Sequence, residues 1–191
     1  MATPPVFSAG AVLTAAQMNA IGMWQITPSS VTNGTLSGGT ATIGNAVASC
    51  TINGCFNSDF DAYRVHIFGV QASAAGGLGI QIGTITTNVY YGNLNYQLYT
   101  GTTLTVESYN GVGQMFIALS ASADAALSSS FDLFYPNSTT SKTLHGTYYG
   151  RGYTGQFGCL VLSSTAQTSL KIFNSSGTLT GGTVRIYGYR K

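Results

Sequence analysis

Ala62-Tyr63-Arg64-Val65-His66-Ile67-Phe68-Gly69-Val70-Gln71 is the stretch whose reading decides the fold class. In an extended chain, successive side chains point to opposite faces. Tyr63, Val65 and Ile67 then face one way, and Arg64 and His66 the other. A period of two with one apolar side marks a strand buried on one face. The same alternation sets Ile80 and Ile82 against Gln81 and Gly83, and Val184 and Ile186 against Arg185 and Tyr187.

Outward from that stretch, Gly, Asn and Ser turns divide the chain from residue 46 onward into expected strands. These are Ala46–Ile52, Tyr63–Gln71, Leu78–Thr86, Tyr90–Tyr99, Thr103–Glu107, Gln114–Ser120, Ser130–Tyr135, Thr143–Tyr149, Gln156–Ser163, Ser169–Phe173 and Thr183–Tyr189. Short strands at this spacing suggest a sandwich or jelly roll. No strand–helix repeat occurs, so a parallel α/β sheet is not expected. The expected fold is all-β, an antiparallel β-sandwich of jelly-roll type over residues 46–191.

Residues 1–26 read differently. Thr14 can cap a helix, and Gln17 three residues later completes a capping box. Leu13 before the cap and Met18 in the first turns fit a hydrophobic staple. Met18, Ile21 and Trp24 follow at spacings of three, so a short amphipathic helix is expected from Thr14 to Trp24. A helix this short is marginal alone in water and needs a surface, in the same chain or in a partner subunit. Residues 27–45, rich in Ser, Thr, Gly and Asn, read as a linker or extended loop.

Composition narrows the function. Only 6% of the 191 residues are charged, against about 25% in average domains. Ser and Thr together number 45 and Gly 25, over a third of the chain. The hydrophobic fraction, 44%, and the aromatic content argue against disorder. A net charge of +2 offers no electrostatic footprint for nucleic acid. No apolar run approaches the roughly 18 residues of a membrane span, so no membrane insertion is expected. The start, Met-Ala-Thr-Pro-Pro, has neither the basic nor the apolar region of a secretory signal.

Groups suited to catalysis or metal binding are few. Cys50, Cys55 and Cys159 lack zinc spacing and are odd in number, which fits buried small hydrophobes. Asp59 and Asp61 flank Phe60 and fit a turn leading into the Tyr63 strand, though that spacing could also seat a cation. His66 sits beside Arg64 on a strand and His145 in Thr143-Leu-His-Gly, with no Cys, Asp or Glu at ligand or triad spacing. Glu107 is the only Glu. No catalytic, cofactor-binding or metal-binding residues are expected, and no cofactor.

Tyrosine stands out, with twelve copies against one Trp. The copies cluster as Tyr90, Tyr91, Tyr96 and Tyr99, and as Tyr148, Tyr149 and Tyr153. Tyrosine is a good strand former, and it also suits protein interfaces and sugar stacking. Within a strand, one residue of each adjacent pair, Tyr90/Tyr91 and Tyr148/Tyr149, must point away from the core. The outward ones are candidates for a receptor or subunit surface.

The N-terminal run Phe7-Ser-Ala-Gly-Ala-Val-Leu13-Thr-Ala-Ala-Gln-Met18-Asn, followed by Ile21-Gly22 and Trp24, resembles the leading segment of tailed-bacteriophage minor tail and fibre-type structural proteins. The body is similar to the jelly-roll domains of phage tail fibres and head fibres, through Phe56–Val70, Ser141–Gly146 and Leu170–Tyr189. The resemblance implies a virion structural protein, assembled in the host cytoplasm, usually a homotrimer, with no shared catalytic residues. Phe7, Leu13, Met18, Ile21 and Trp24 would form a segment docking onto other virion proteins of the tail or capsid. The jelly roll would meet a host surface glycan or protein. Three roles follow as expectations: a tail fibre or receptor-binding protein, a capsid decoration or head-fibre protein stabilising the head, and a stand-alone carbohydrate-binding module.

Overall fold

The computed structural model describes residues 22–87, 89–120 and 125–189. In chain order the strands are β1 (Met23–Gln25), β2 (Ser30–Thr32), β3 (Gly34–Ser37), β4 (Thr40–Ile43), β5 (Ser49–Asn53), β6 (Ala62–Ala72), β7 (Gly76–Ile82) and β8 (Tyr90–Leu98). They continue as β9 (Leu104–Val112), β10 (Met115–Ser120), β11 (Ala125–Phe134), β12 (Lys142–Gly150), β13 (Tyr153–Val161), β14 (Leu170–Asn174), β15 (Leu179–Thr180) and β16 (Thr183–Tyr189). Among the described residues there is no helix.

Two antiparallel sheets result, consistent with a β-sandwich. The larger runs β3-β4-β16-β6-β11-β12-β13-β8-β9, with β1 also on β16 and β15 also on β6. The smaller runs β10-β7-β14-β5-β2. Tyr63, Val65 and Ile67 are buried, as their alternation requires. Beyond them the period shifts. Gly69 adopts a left-handed φ of 64°, and the pairing of β11 with β6 slips between Leu127 and Ser129. This bulge consumes one residue and keeps Val70 and Ala72 on the buried face.

Each expected strand from residue 46 onward is present, with ends moved by a few residues. The reading of residues 27–45 as a linker is corrected: they carry β2, β3 and β4, and Ala41 and Ile43 are buried. The sandwich therefore begins well before residue 46. Gly38 and Gly39, at φ of 53° and 80°, form the two-residue turn between β3 and β4. Two consecutive positive φ values twist a hairpin in the sense its strands need.

The expected helix falls mostly outside the described residues, as do Phe7, Leu13, Met18 and Ile21. Trp24 is described, and it does not continue a helix. It is the middle residue of β1, opposite Gly188 of β16. The Ile26 N–H then donates to the Ile186 carbonyl at 2.8 Å, and Ile26 is buried. The open edge of β16 offers these residues a ladder, and Trp24 packs against the core. The end of the expected docking segment is thus part of the sandwich.

Many strand glycines are places where a ring lies flat across the chain. A Cβ on Gly79 would sit 2.5 Å from the Phe173 ring, and one on Gly77 2.6 Å from the Phe116 ring. This covers β7 on the side away from the core, so β7 is buried almost throughout.

Two tyrosines are wholly internal and keep their hydroxyls paired. Tyr63 donates to the Asn57 carbonyl at 2.8 Å, and Tyr90 to that of Ile85 at 3.2 Å while accepting from Ile82 N–H at 2.8 Å. Burial pushes the Tyr63 phenol up to about 12, and the buried thiols of Cys50 and Cys159 up to about 11 and 12. Groups whose pKa is raised by folding stabilise fully below their unfolded values, here 9.0 for Cys and 10.0 for Tyr. That stability is lost as pH climbs through the folded values. The free energy of unfolding should hold from neutral pH to about pH 9, then fall by roughly 1 kcal/mol per pH unit per group, and the denaturant midpoint with it. Chemical denaturation across that range measures it, and an unchanged midpoint at about pH 11 would contradict the assignment.

Candidate functional site

The adjacent tyrosine pairs split across the sheet. Tyr90 is internal and Tyr91 half-buried on the other face. Tyr148 is 4% exposed, whereas Tyr149 is 65% exposed. Tyr99, just after β8, is 80% exposed, the most of any large hydrophobic side chain among the described residues.

Chain reversal brings three of the seven candidate tyrosines together. β12 and β13 are joined by Arg151 and Gly152, with Gly152 at a φ of 90°. The Tyr99 N–H donates to the Gly152 carbonyl at 3.0 Å and ties the turn after β8 to this one. Tyr99, Tyr149 and Tyr153, with Arg151 and Thr154, line a recess of about 300 Å³ at this end of the sandwich. Its surface is two exposed phenol rings, a guanidinium and a threonine hydroxyl. Such a recess offers stacking area, two kinds of donor and one positive charge. Tyr96 lies behind it, edge-on to Tyr153 with centroids 5.2 Å apart. Tyr90 and Tyr91 take no part. Sequence reasoning missed Arg151; its signal is an arginine set between glycines in the run Tyr148-Tyr-Gly-Arg-Gly-Tyr153.

A second cluster occupies the outer face of the larger sheet. Gln25, Tyr187, Arg64, Asp132 and His145 form one row across five strands. Arg64 grips Asp132 through Nε–Oδ1 at 2.8 Å and Nη2–Oδ2 at 2.5 Å, and the Tyr189 hydroxyl donates to Oδ1 at 2.6 Å. Burial alone would raise the Asp132 pKa. The Arg64 and Tyr189 hydrogen bonds outweigh it and hold the carboxyl below its ordinary value. His145 stacks on Phe134, with Nε2 3.9 Å from Asp132 Oδ2, beyond hydrogen-bond reach. His66 stacks on Phe68 and meets Tyr187 edge-on. Its pKa is lowered by burial, and further by Arg64 and Arg185. The cluster fastens β16, β6 and β11 together, with His145 at its rim.

The three cysteines are free and buried. Asp59 follows an Asx turn in which Asn57 Oδ1 accepts the Asp59 N–H at 2.9 Å, so the turn into β6 is present but Asn57 closes it. Among the described residues, no three His, Cys, Asp or Glu side chains are gathered to hold a metal ion. Comparison of the sequence with protein-family models and with curated proteins finds no match.

Proposed function

We propose that this chain is a structural protein of a tailed-phage virion, a tail fibre or receptor-binding protein whose sandwich meets the host surface through the Tyr99–Tyr149–Arg151 recess. The observation that carries the reading is the recess itself. Two large aromatic side chains are held out in solvent at the meeting of two turns, although burying them would be worth roughly 1.5–3 kcal/mol each. Exposed aromatics around a concavity are a common mark of a binding surface.

The strand order supports a jelly roll. Within the smaller sheet β5, β14, β7 and β10 follow the order of one jelly-roll layer, and within the larger sheet β6, β11, β8 and β9 follow the order of the other. The chain crosses between layers in the jelly-roll sequence, with the β12–β13 hairpin inserted between β11 and β8. That inserted hairpin carries the recess. A homotrimer fits the exposed Phe68, Leu104, Val106 and Leu160 on the outer face of the larger sheet. Low charge leaves little repulsion between copies. The residues before β1 would supply the attachment to the rest of the virion.

The test is a Tyr99→Ala/Tyr149→Ala double variant. Both side chains are exposed, so unfolding temperature and oligomer mass should be unchanged, while binding of the purified chain to host cells should fall at least tenfold. Binding equal to the unaltered chain would overturn the recess as the contact surface. Copies per virion separate the roles: a few to a few tens supports the tail reading, and a hundred or more overturns it in favour of a head protein.

A further inference from the structure

β9 and β10 are edge strands of the two sheets, and no ladder closes the seam between them. Glu107 lies on β9 and points inward. It stands opposite Leu94, at the end of an interior row that runs Phe131, Gly146, Phe157 and Leu94. A row of core residues thus ends in a half-buried carboxylate.

The surroundings of Glu107 are aromatic. The Tyr96 hydroxyl donates to Oε1 at 3.2 Å and the Tyr109 hydroxyl to Oε2 at 2.7 Å. Tyr153 packs edge-on against Tyr96, and Phe116 of β10 edge-on against Tyr109 with centroids 5.8 Å apart. The buried Tyr148 hydroxyl has no hydrogen-bond partner. Among the described residues, neither salt bridge involves Glu107. Tyr96, Glu107, Phe116, Leu119 and Tyr153 line a cleft of about 320 Å³ in the seam.

An inward charge on an edge strand discourages pairing with another edge. That accounts for a charge at position 107, but not for the rings around it or for a cleft left open beside it. A carboxylate and aromatic rings together suit a positively charged guest, since a ring's face carries partial negative charge. Both tyrosine donors are turned onto Glu107, which leaves acceptor lone pairs and ring faces for a guest. A compact, strongly hydrated cation needs several oxygen ligands. An alkylated ammonium is weakly hydrated and gains from ring faces and a single counter-charge.

We propose that the cleft between β9 and β10 binds an alkylated ammonium group, with Glu107 as its counter-charge and the rings of Tyr96, Tyr153 and Phe116 as its walls. This site is distinct from the Tyr99–Tyr149 recess, shares only the Tyr153 wall with it, and does not depend on where in a virion the chain stands.

The test titrates the full purified chain with choline, with ethanolamine and with 3,3-dimethylbutanol, the uncharged isostere of choline, following tyrosine ring signals by NMR. Choline should bind saturably at roughly millimolar concentration. The isostere and ethanolamine should each bind at least tenfold more weakly. Glu107→Gln should weaken choline at least tenfold in a chain that still shows the dispersed ring signals of the folded state. Equal binding of the isostere removes the role of charge, and equal binding of ethanolamine removes that of alkylation. No saturation by about 50 mM choline removes the site. The comparison of ligands on the unaltered chain decides the matter even if the variant fails to fold.

Discussion

Lys142→Met should unfold roughly 10 °C below the unaltered chain. Lys142 is fully buried, at 0% exposure, on the first residue of β12. Its Nζ donates to three carbonyls: Ser138 at 2.9 Å, Thr140 at 2.8 Å and Ser163 at 2.7 Å. An ammonium has three donors, and all three are spent. The first two acceptors belong to the loop between β11 and β12, and the third lies just past β13. One side chain therefore clamps a loop to the exit of a neighbouring strand. Burial lowers the Lys142 pKa, so the folded state is carrying the desolvation of an amine for the sake of this clamp. Methionine has similar length and no donor, so it leaves three carbonyls facing a thioether. Losing three hydrogen bonds from a charged donor to these part-buried carbonyls costs roughly 3–5 kcal/mol. At about 2–4 °C per kcal/mol for a chain of this size, the expected shift follows. Calorimetry reads it directly, and a shift under about 2 °C would mean that the clamp contributes nothing net.

The second large effect is expected at Gly155. A Cβ there would lie 2.0 Å from the Asn95 carbonyl oxygen and 2.9 Å from Cε1 of Tyr148. The first neighbour is backbone of the adjoining β8, which cannot swing aside as a side chain can. Gly155→Val must push β8 from β13 or displace Tyr148 from the core, and with β8 goes β9, which pairs only with it. We expect a loss above about 4 kcal/mol, in the range reserved for core disruption. The Ala variant should be milder in the same direction. Gly158→Ala on the same strand is the control, since its Cβ would meet nothing nearer than the Leu144 carbonyl oxygen at 4.0 Å. Denaturant midpoints of the three variants check this. Equal stability of Gly155→Val and Gly158→Ala would show that the close approach is not limiting.

Much of the sandwich was legible because its long strands alternate over enough residues for the pattern to rise above chance. Tyr63, Val65 and Ile67 are the clearest case. The short strands β1–β4 were not legible. Each spans three or four residues, and only β4 buries side chains, Ala41 and Ile43, among Ser, Thr and Gly that otherwise mark loops. Trp24 misled because it lies three residues after Ile21, a helical spacing, while its real environment is the open edge of β16, supplied from the far end of the sequence.

The tyrosine surface was half legible. Adjacent pairs had to split, and Tyr149 does face solvent while Tyr148 does not. That Tyr99 would join Tyr149 and Arg151 depends on which turn meets which, and spacing along the chain does not encode that. The same holds for the Asp132 carboxylate, whose partner Arg64 is 68 positions away. Glu107 looked unremarkable as a lone carboxylate. Its inward direction emerges only once Leu94 is known to stand opposite.

The place of β6 has a consequence for how the protein is made. In the finished sheet β6 lies between β11 and β16, and β1 rests on β16 as well. During synthesis β1 and β6 leave the ribosome long before β16 exists. Until then an apolar strand waits with an open side. Pairings between distant segments are slow to form, because loop closure must come before the contacts that reward it. Completion of the larger sheet therefore waits until β16 has emerged. Nascent chains crowded on one message would be most exposed to cross-pairing in the interval before β16 arrives.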